Sequence, residues 1–279
     1  MTYSAYQLDL LNKMGVDVWV RRANQTEKMD DSVEDEVSKN SQKSNEDSAA
    51  LSFSDCDAKI EHTPNQLGES TVTTLASDHA SLPGEAVFEA KDGGSLGHLK
   101  VMVERCQRCE LHASRNNVVF GNGNAQAEWM FVGEAPGQQE DLQGNPFVGR
   151  AGKLLDLMIR ALGMKREDVY VANVLKCRPP NNRDPLPSEV EECENYLKHQ
   201  LALVKPKVVV ALGRISAQAL LKSTMPLGKM RGGKYFYGDQ QIPLVITYHP
   251  AYLLRSPDQK AKAWEDLWFA KQLVERAKH

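Results

Sequence analysis

The sequence predicts the α/β class, a parallel sheet sandwiched between helices and preceded by a disordered acidic linker. Beyond residue 99, apolar runs of strand length stand at 128–132, 169–175, 207–212 and 244–247, and segments of helical pattern alternate with them at 151–162, 188–204, 215–221 and 260–277. Strands that read as continuous apolar runs are buried on both faces, as a parallel sheet covered by its crossover helices requires. The linker is predicted by composition. From Ala23 to about Gly97 the chain is rich in Ser, Asp, Glu, Asn and Thr and sustains no helical or strand period, so it has too little apolar surface to offset the entropy of ordering.

Residues 1–22 form a distinct segment. Tyr6, Leu8, Leu10, Leu11, Met14, Val16, Val18 and Trp19 make an apolar stretch too short to fold alone and suited to docking on a partner. Gln7-Leu8-Asp9-Leu10-Leu11 is similar to the Q-L-x-L-F peptides that bacterial proteins insert into the sliding clamp. Met14-Gly15-Val16-Asp17-Val18-Trp19, followed by Arg21-Arg22, is similar to the segment of the clamp-loader psi subunit that binds the chi subunit. An amphipathic end packed on its own domain fits the same pattern.

The linker, 23–98, carries 16 acids against 5 bases, and the remaining domain, 99–279, carries 26 bases against 19 acids. The overall net charge of −3 therefore hides a structured part with the positive sign expected of a protein that meets phosphates. Cys56 stands alone inside the linker and reads as an incidental thiol. The longest apolar runs, such as 208–212, fall far short of the roughly 20 residues of a membrane span. Tyr3, Gln7 and Asp9 occupy positions where a secretory signal would place a basic and then an apolar block. The expected location is the cytoplasm, where free thiols persist.

Within the domain, the helix at 151–162 starts beyond a glycine-rich loop, and the helix at 188–204 opens on Ser188 with Glu189 and Glu191 in its first turn. Ligands of open parallel sheets gather at the carboxyl ends of the strands. Gly133-Glu134, Asn173, Gly213 and His249 all stand at or just beyond such ends, so separated polar motifs converge on one crevice.

Cys106 and Cys109 form a C-x2-C pair, and Cys177 and Cys193 follow a whole βαβ unit later with 15 residues between them. Four thiolates suit either tetrahedral zinc or a [4Fe–4S] cluster, and spacing alone leaves both open. The absence of a second C-x2-C knuckle tilts the chemistry toward iron–sulfur.

Gly133-Glu134-Ala135-Pro136-Gly137-Gln138-Gln139-Glu140-Asp141 reads as a strand entering a turn whose glycines let the backbone approach a flat or phosphorylated ligand. Phe147, in Gly144-Asn145-Pro146-Phe147-Val148-Gly149-Arg150-Ala151-Gly152, is available to stack on a base or to plug the core. The Asn173 amide offers a donor and an acceptor side by side, which reads a pyrimidine edge, although a strand-end asparagine also serves as a turn residue. His249 precedes Pro250, and Tyr252, Leu253, Leu254 and Arg255 set bulky apolar side chains beside a cation, as a loop that wedges into a helix and holds a phosphate requires.

Together with N-V-L-K-C-R-P-P-N-N-R and T-Y-H-P-A-Y-L-L-R, and with the four cysteines in order, these motifs resemble the family 4 uracil-DNA glycosylases over about residues 100–275. The resemblance implies a three-layer α/β/α sandwich with a four-stranded parallel sheet. It also implies a [4Fe–4S] cluster on Cys106, Cys109, Cys177 and Cys193. The implied activity is rotation of deoxyuridine out of DNA and hydrolysis of its N-glycosidic bond. In that reading uracil stacks on Phe147, Asn173 pairs with its edge, and His249 stabilises charge on the leaving base. Side chains of 252–255 fill the vacated space, and Arg150 and Arg255 meet the DNA backbone. Ala135 stands where other branches of the superfamily carry an aspartate, so Glu140 becomes the candidate for positioning water, with Glu134 next. Gly137 likewise replaces a tyrosine that excludes thymine in those relatives, which leaves Glu134 as the candidate for that task. The competing class is a non-catalytic DNA-binding or replisome-adaptor protein on the same fold.

Overall fold

The structure, a computed structural model, describes residues 4–16 and 94–277, all within one compact unit. The acidic linker expected over 23–98 lies outside the described residues as far as position 93, as do Cys56 and residues 17–22.

In chain order the helices α1 (Ala5–Lys13), α2 (Leu96–Glu104) and α3 (Leu111–Ser114) precede strands β1 (Asn122–Gly123) and β2 (Trp129–Gly133). Helices α4 (Gln138–Gln143) and α5 (Arg150–Ala161) lead to β3 (Tyr170–Asn173), and α6 (Pro187–Val204) leads to β4 (Val208–Leu212). Then come α7 (Arg214–Leu221), α8 (Leu227–Met230), β5 (Tyr235–Tyr237), β6 (Ile242–Thr247), α9 (Pro250–Arg255) and α10 (Lys260–Arg276).

The sheet order is β1-β3-β2-β4-β6-β5. Its four central strands are parallel, with Phe131 registered between Val171 and Val210, and Val210 beside Val245. This is the expected four-stranded sheet, with short antiparallel strands β1 and β5 added at its edges. Side chains alternate between the two helical layers as a strand's period of two demands. Trp129, Phe131, Val208, Val210 and Leu212 face the layer of α1, α5 and α10. Met130, Val132, Val209 and Ala211 face α6 and α7.

The connection leaving β2 passes over one face through α5, whereas that leaving β4 passes over the other through α7. Adjacent strands with oppositely directed connections open a crevice at their carboxyl ends, the preferred ligand site of such sheets. Gly133 ends β2, and Gly213 follows β4.

Over residues 4–16 the N-terminal segment packs on its own domain, the alternative that its amphipathic pattern left open beside partner docking. Ser4 and Gln7 form a reciprocal capping box at the start of α1. Gly15, at φ +74°, ends the helix and lets Val16 donate back to the Leu11 carbonyl at 2.8 Å. Leu10, Leu11, Met14 and Val16 are buried with Leu154 and Met158 of α5 and Trp264 and Leu267 of α10. Gln7 Nε2 donates to the Ala161 carbonyl at 3.1 Å. Leu10, Leu11, Met14 and Val16 are thus inside the chain's own core, where each full burial contributes roughly 1.5–3 kcal/mol, whereas Tyr6 is exposed and Val18 and Trp19 of the chi-like motif lie outside the described residues.

A third cluster joins Leu99 and Val103 of α2 to Leu111, Phe120, Leu175 and Tyr196 around the cysteines. Helix α2 begins at Leu96, capped by the Ser95 hydroxyl, which accepts from His98 N, so the ordered domain starts just before the expected boundary at 99. Among the described residues no helix is long and apolar enough to cross a membrane.

Candidate active site

The crevice is built around glycines that have no room for a side chain. A methyl group on Gly133 would stand 2.4 Å from Asn173 Oδ1 and 2.6 Å from Phe147 Cζ. Only glycine at the end of β2 lets these two converge. Phe147 itself has a left-handed backbone, φ 57°. Its carbonyl lies where a Gly152 methyl would be, at 1.7 Å, so the first turn of α5 packs directly on the strained residue. Glu140 of α4 ties down the same loop: its Oε1 accepts from Val148 N at 3.0 Å and Gly149 N at 3.1 Å.

Asn173, the last residue of β3, is 2% exposed, and its side-chain Oδ1 has no hydrogen-bond partner. A buried acceptor left unpaired costs about 1–3 kcal/mol, which a ligand donor would recover. The backbone of Asn173 is held from behind. Its carbonyl accepts from the buried Lys176 Nζ at 2.7 Å, and the same ammonium donates to Gln200 Oε1 at 2.6 Å. Gln200 Nε2 in turn donates to the Phe120 carbonyl and the Tyr170 hydroxyl. Burial pulls the Lys176 ammonium down to about 8.

His249 follows β6 and caps α9, its Nδ1 accepting from Ala251 N at 3.1 Å. With Nδ1 as acceptor, the proton of the neutral ring sits on Nε2. Burial pulls its pKa down to about 4, with Arg255 adding to the effect and Glu140 opposing it, so the ring is neutral at physiological pH. Gly213, at φ +94°, presses on it: an added methyl would meet His249 Cβ at 2.9 Å. Glu134 is pushed up to about 6, chiefly by burial, with Asp184 adding and Arg214 opposing.

These residues surround one cleft of about 460 Å³, within the roughly 300–1,000 Å³ of small-molecule sites. Glu134, Glu140, Phe147, Asn173, His249, Tyr252 and Arg255, all expected from sequence, line it together. One expectation needs correction. Leu253 faces inward at 1% exposure and packs with Leu154 and Trp264, because Pro250 starts a helix whose period turns that position to the core. Leu254, at 37%, is the leucine left outside. Arg150 opens α5 exposed at the surface, outside the cleft lining, a position open to a backbone phosphate.

The cleft also has walls that sequence reasoning left unassigned: Pro179, Asn182 and Arg183. Asn181 and Asn182 are both left-handed, φ 55° and 54°, which turns the chain sharply after Cys177. Arg183 then pairs with Glu189 at 2.5 Å. The run Pro-Pro-Asn-Asn was the available signal, since asparagine tolerates this conformation better than most residues.

Away from the cleft, Cys106, Cys109, Cys177 and Cys193 carry free thiols and line a second pocket with Arg115, Lys176 and Tyr196. Arg115 Nη1 donates to Cys177 Sγ at 3.2 Å, and Lys176 N donates to Cys193 Sγ at 3.3 Å. Among the described residues no three His, Cys, Asp or Glu side chains meet around a single ion position. Burial pushes the Cys193 thiol up to about 12, so binding a metal there would release its proton.

Residues 120–268 match the family model of the Uracil DNA glycosylase superfamily. The chain is similar to the type-4 uracil-DNA glycosylase of Archaeoglobus fulgidus, 44% identical over 178 residues that cover 62% of this chain and 89% of the relative. It is 45% identical over 179 residues to that of Pyrobaculum aerophilum, covering 62% and 91%. The corresponding figures for that of Thermotoga maritima are 42% over 179 residues, covering 62% and 92%.

Proposed function

The chain belongs to the uracil DNA glycosylase superfamily, and from that premise we propose that it is a DNA repair glycosylase. It rotates deoxyuridine out of DNA, hydrolyses the N-glycosidic bond, and releases uracil to leave an abasic site. The observation that carries the reading is the unpartnered Asn173 Oδ1, buried in the lining of the cleft beside Phe147.

Uracil stacks on Phe147 and presents its Watson–Crick edge to Asn173. Oδ1 accepts from N3–H, and the amide nitrogen donates to O4. Cytosine reverses that pattern and leaves buried groups unpaired, which is the strong form of rejection. As the glycosidic bond stretches, negative charge grows on O2. The neutral His249 donates to it from Nε2, the nitrogen that capping of α9 leaves protonated. A preorganised donor of this kind contributes about 3 kcal/mol. With Ala135 in place of a carboxylate, water falls to Glu140. Its Oε1 is committed to the amides of 148 and 149, so Oε2 is the atom that holds the nucleophile. Glu134 is our candidate for the wall that meets the thymine methyl.

We further propose that Cys106, Cys109, Cys177 and Cys193 hold a [4Fe–4S] cluster. Four thiols that line one pocket supply the one thiolate per iron that such a cluster takes, and the single C-x2-C pair, without the second knuckle usual in zinc ribbons, favours it over zinc. When bound, the cluster supplies a rigid, redox-capable cross-link and no bond-breaking step. Lys176 then joins the two sites, its amide at Cys193 and its ammonium at the Asn173 carbonyl. A cytoplasmic location suits both reduced thiols and access to DNA.

The test is uracil release from a uracil-containing oligonucleotide, with the absorbance near 400 nm recorded on anaerobically purified protein. Release by a brown protein is the expected result. A colourless protein that binds DNA without release would favour the adaptor alternative.

A further inference from the structure

At the rim of the cleft, Tyr252 of α9 is 37% exposed and stacks on Tyr248, with centroids 5.1 Å apart and planes at 25°. The Arg231 guanidinium lies over the Tyr248 ring, 4.5 Å from its centroid. The Tyr248 hydroxyl accepts from Arg231 Nη1 at 3.4 Å and donates to Gln259 Oε1 at 3.3 Å. Arg231 is itself fixed by Asp266 through two hydrogen bonds of 2.8 and 3.0 Å, and both side chains of this pair are largely buried.

Asp266, Arg231, Tyr248 and Tyr252 therefore form a column that runs from inside α10 to the cleft. An exposed tyrosine ordinarily loses side-chain freedom when it captures a ligand. Here the ring is already oriented by the stack beneath it, and the cation over Tyr248 adds electrostatic attraction to the column. The bond-breaking step described above has no use for it. Arg255, on the same rim, supplies a cation beside it. An oriented aromatic face next to a cation is the arrangement that holds an unstacked base and its phosphate without regard to sequence.

We propose that Tyr252 is a stacking platform for a second nucleobase, one that loses its stacking partner when the uridine leaves the helix. This inference deepens the glycosylase reading and rests on it. It takes the place of a Leu253 wedge, since that side chain is turned into the core, and of the two exposed neighbours Tyr252, unlike Leu254, lines the cleft. The base is either the flanking one in the uracil strand or the orphaned one opposite, and both present the same π-face.

The experiment compares Tyr252→Phe, Tyr252→Trp and Tyr252→Leu on single-stranded and duplex uracil oligonucleotides, with melting temperatures confirming the fold. A stacking role predicts that Leu raises KM on the order of tenfold, with the larger part of the loss in KM rather than kcat, while Phe and Trp keep near wild-type values. Loss on both substrates assigns the flanking base, and loss on duplex alone assigns the orphaned one. A Leu variant equal to Phe would overturn the proposal, because bulk without a π-face would then suffice. Should wild-type protein release no uracil, the glycosylase reading fails separately. Affinity of the same variants for an oligonucleotide with an abasic site, read by fluorescence anisotropy, still decides the stacking.

Discussion

The Phe147 ring stands 5.5 Å from the His249 imidazole, centroid to centroid, with the two planes 31° apart. One residue comes from the loop between α4 and α5 and the other from the end of β6, so the contact spans the crevice at the carboxyl end of the sheet. It places an apolar wall beside a neutral hydrogen-bond donor, with the Asn173 acceptor a methyl's width away across Gly133. A flat base with a donor on one edge and an acceptor on the other is the shape this arrangement accepts.

Gly133→Ala tests the convergence. The added methyl has no space between Asn173 and Phe147, so one or both must shift. Misplacement of about 1 Å costs on the order of a hundredfold in rate, which single-turnover uracil release would read while circular dichroism stays native. A rate within tenfold of wild type would show that the pocket tolerates the shift.

His249 makes stability depend on pH in a predictable direction. Its pKa is about 4 in the folded protein, against roughly 6.5 in the unfolded chain. Below about pH 6.5 the unfolded state binds a proton that the native state refuses, so stability falls as pH drops toward 4 and this contribution is lost completely below it. The full effect is about 3 kcal/mol. Urea titrations at pH 7 and pH 4 should show a smaller drop in His249→Asn than in wild type; equal drops would contradict a buried neutral imidazole.

One substitution separates the loop contacts of Glu140 from the water-holding role proposed for it. Glu140→Gln keeps an acceptor for the amides of Val148 and Gly149 but puts a donor where water is to be held. The melting temperature should hold while kcat falls about a hundredfold. A fall in melting temperature with unchanged kcat would make the residue a loop brace alone.

Leu11 is fully buried beneath α1. Leu11→Ala should lower the unfolding free energy by roughly 2–5 kcal/mol, the range for a truncated core leucine. An unaffected melting curve would mean that α1 leaves its seat in solution and would revive the partner-docking idea.

The central sheet was legible because a run such as Val208–Leu212, apolar at every position, fits a doubly covered parallel strand. Strands β1 and β5 were not, since two or three residues cannot display a period. The residues at the strand ends that meet in the cleft were legible for a related reason: ligand sites in such folds cluster at those ends. What sequence could not decide was direction. The face of α1 that covers α5 and α10 is the face a partner would need, and period alone does not say which surface it meets. Leu253 and Leu254 are equivalent as letters and separate only once Pro250 fixes where the turn of α9 begins. Lys176 carried no signal at all, because its burial depends on Gln200, far along the chain in α6. Glu140 was marked as a carboxylate near the site, but its commitment to the amides of Val148 and Gly149 in the loop that follows α4 emerges only from folding.

Uracil release by wild type and by Asn173→Ala, measured side by side on one uracil-containing oligonucleotide at matched absorbance near 400 nm, tests the account most directly. Efficient release by wild type, and a loss on the order of a hundredfold or more in the variant, is the predicted result. Equal release by both proteins would contradict the claim that the Asn173 amide reads the base, and with it the central assignment of the site.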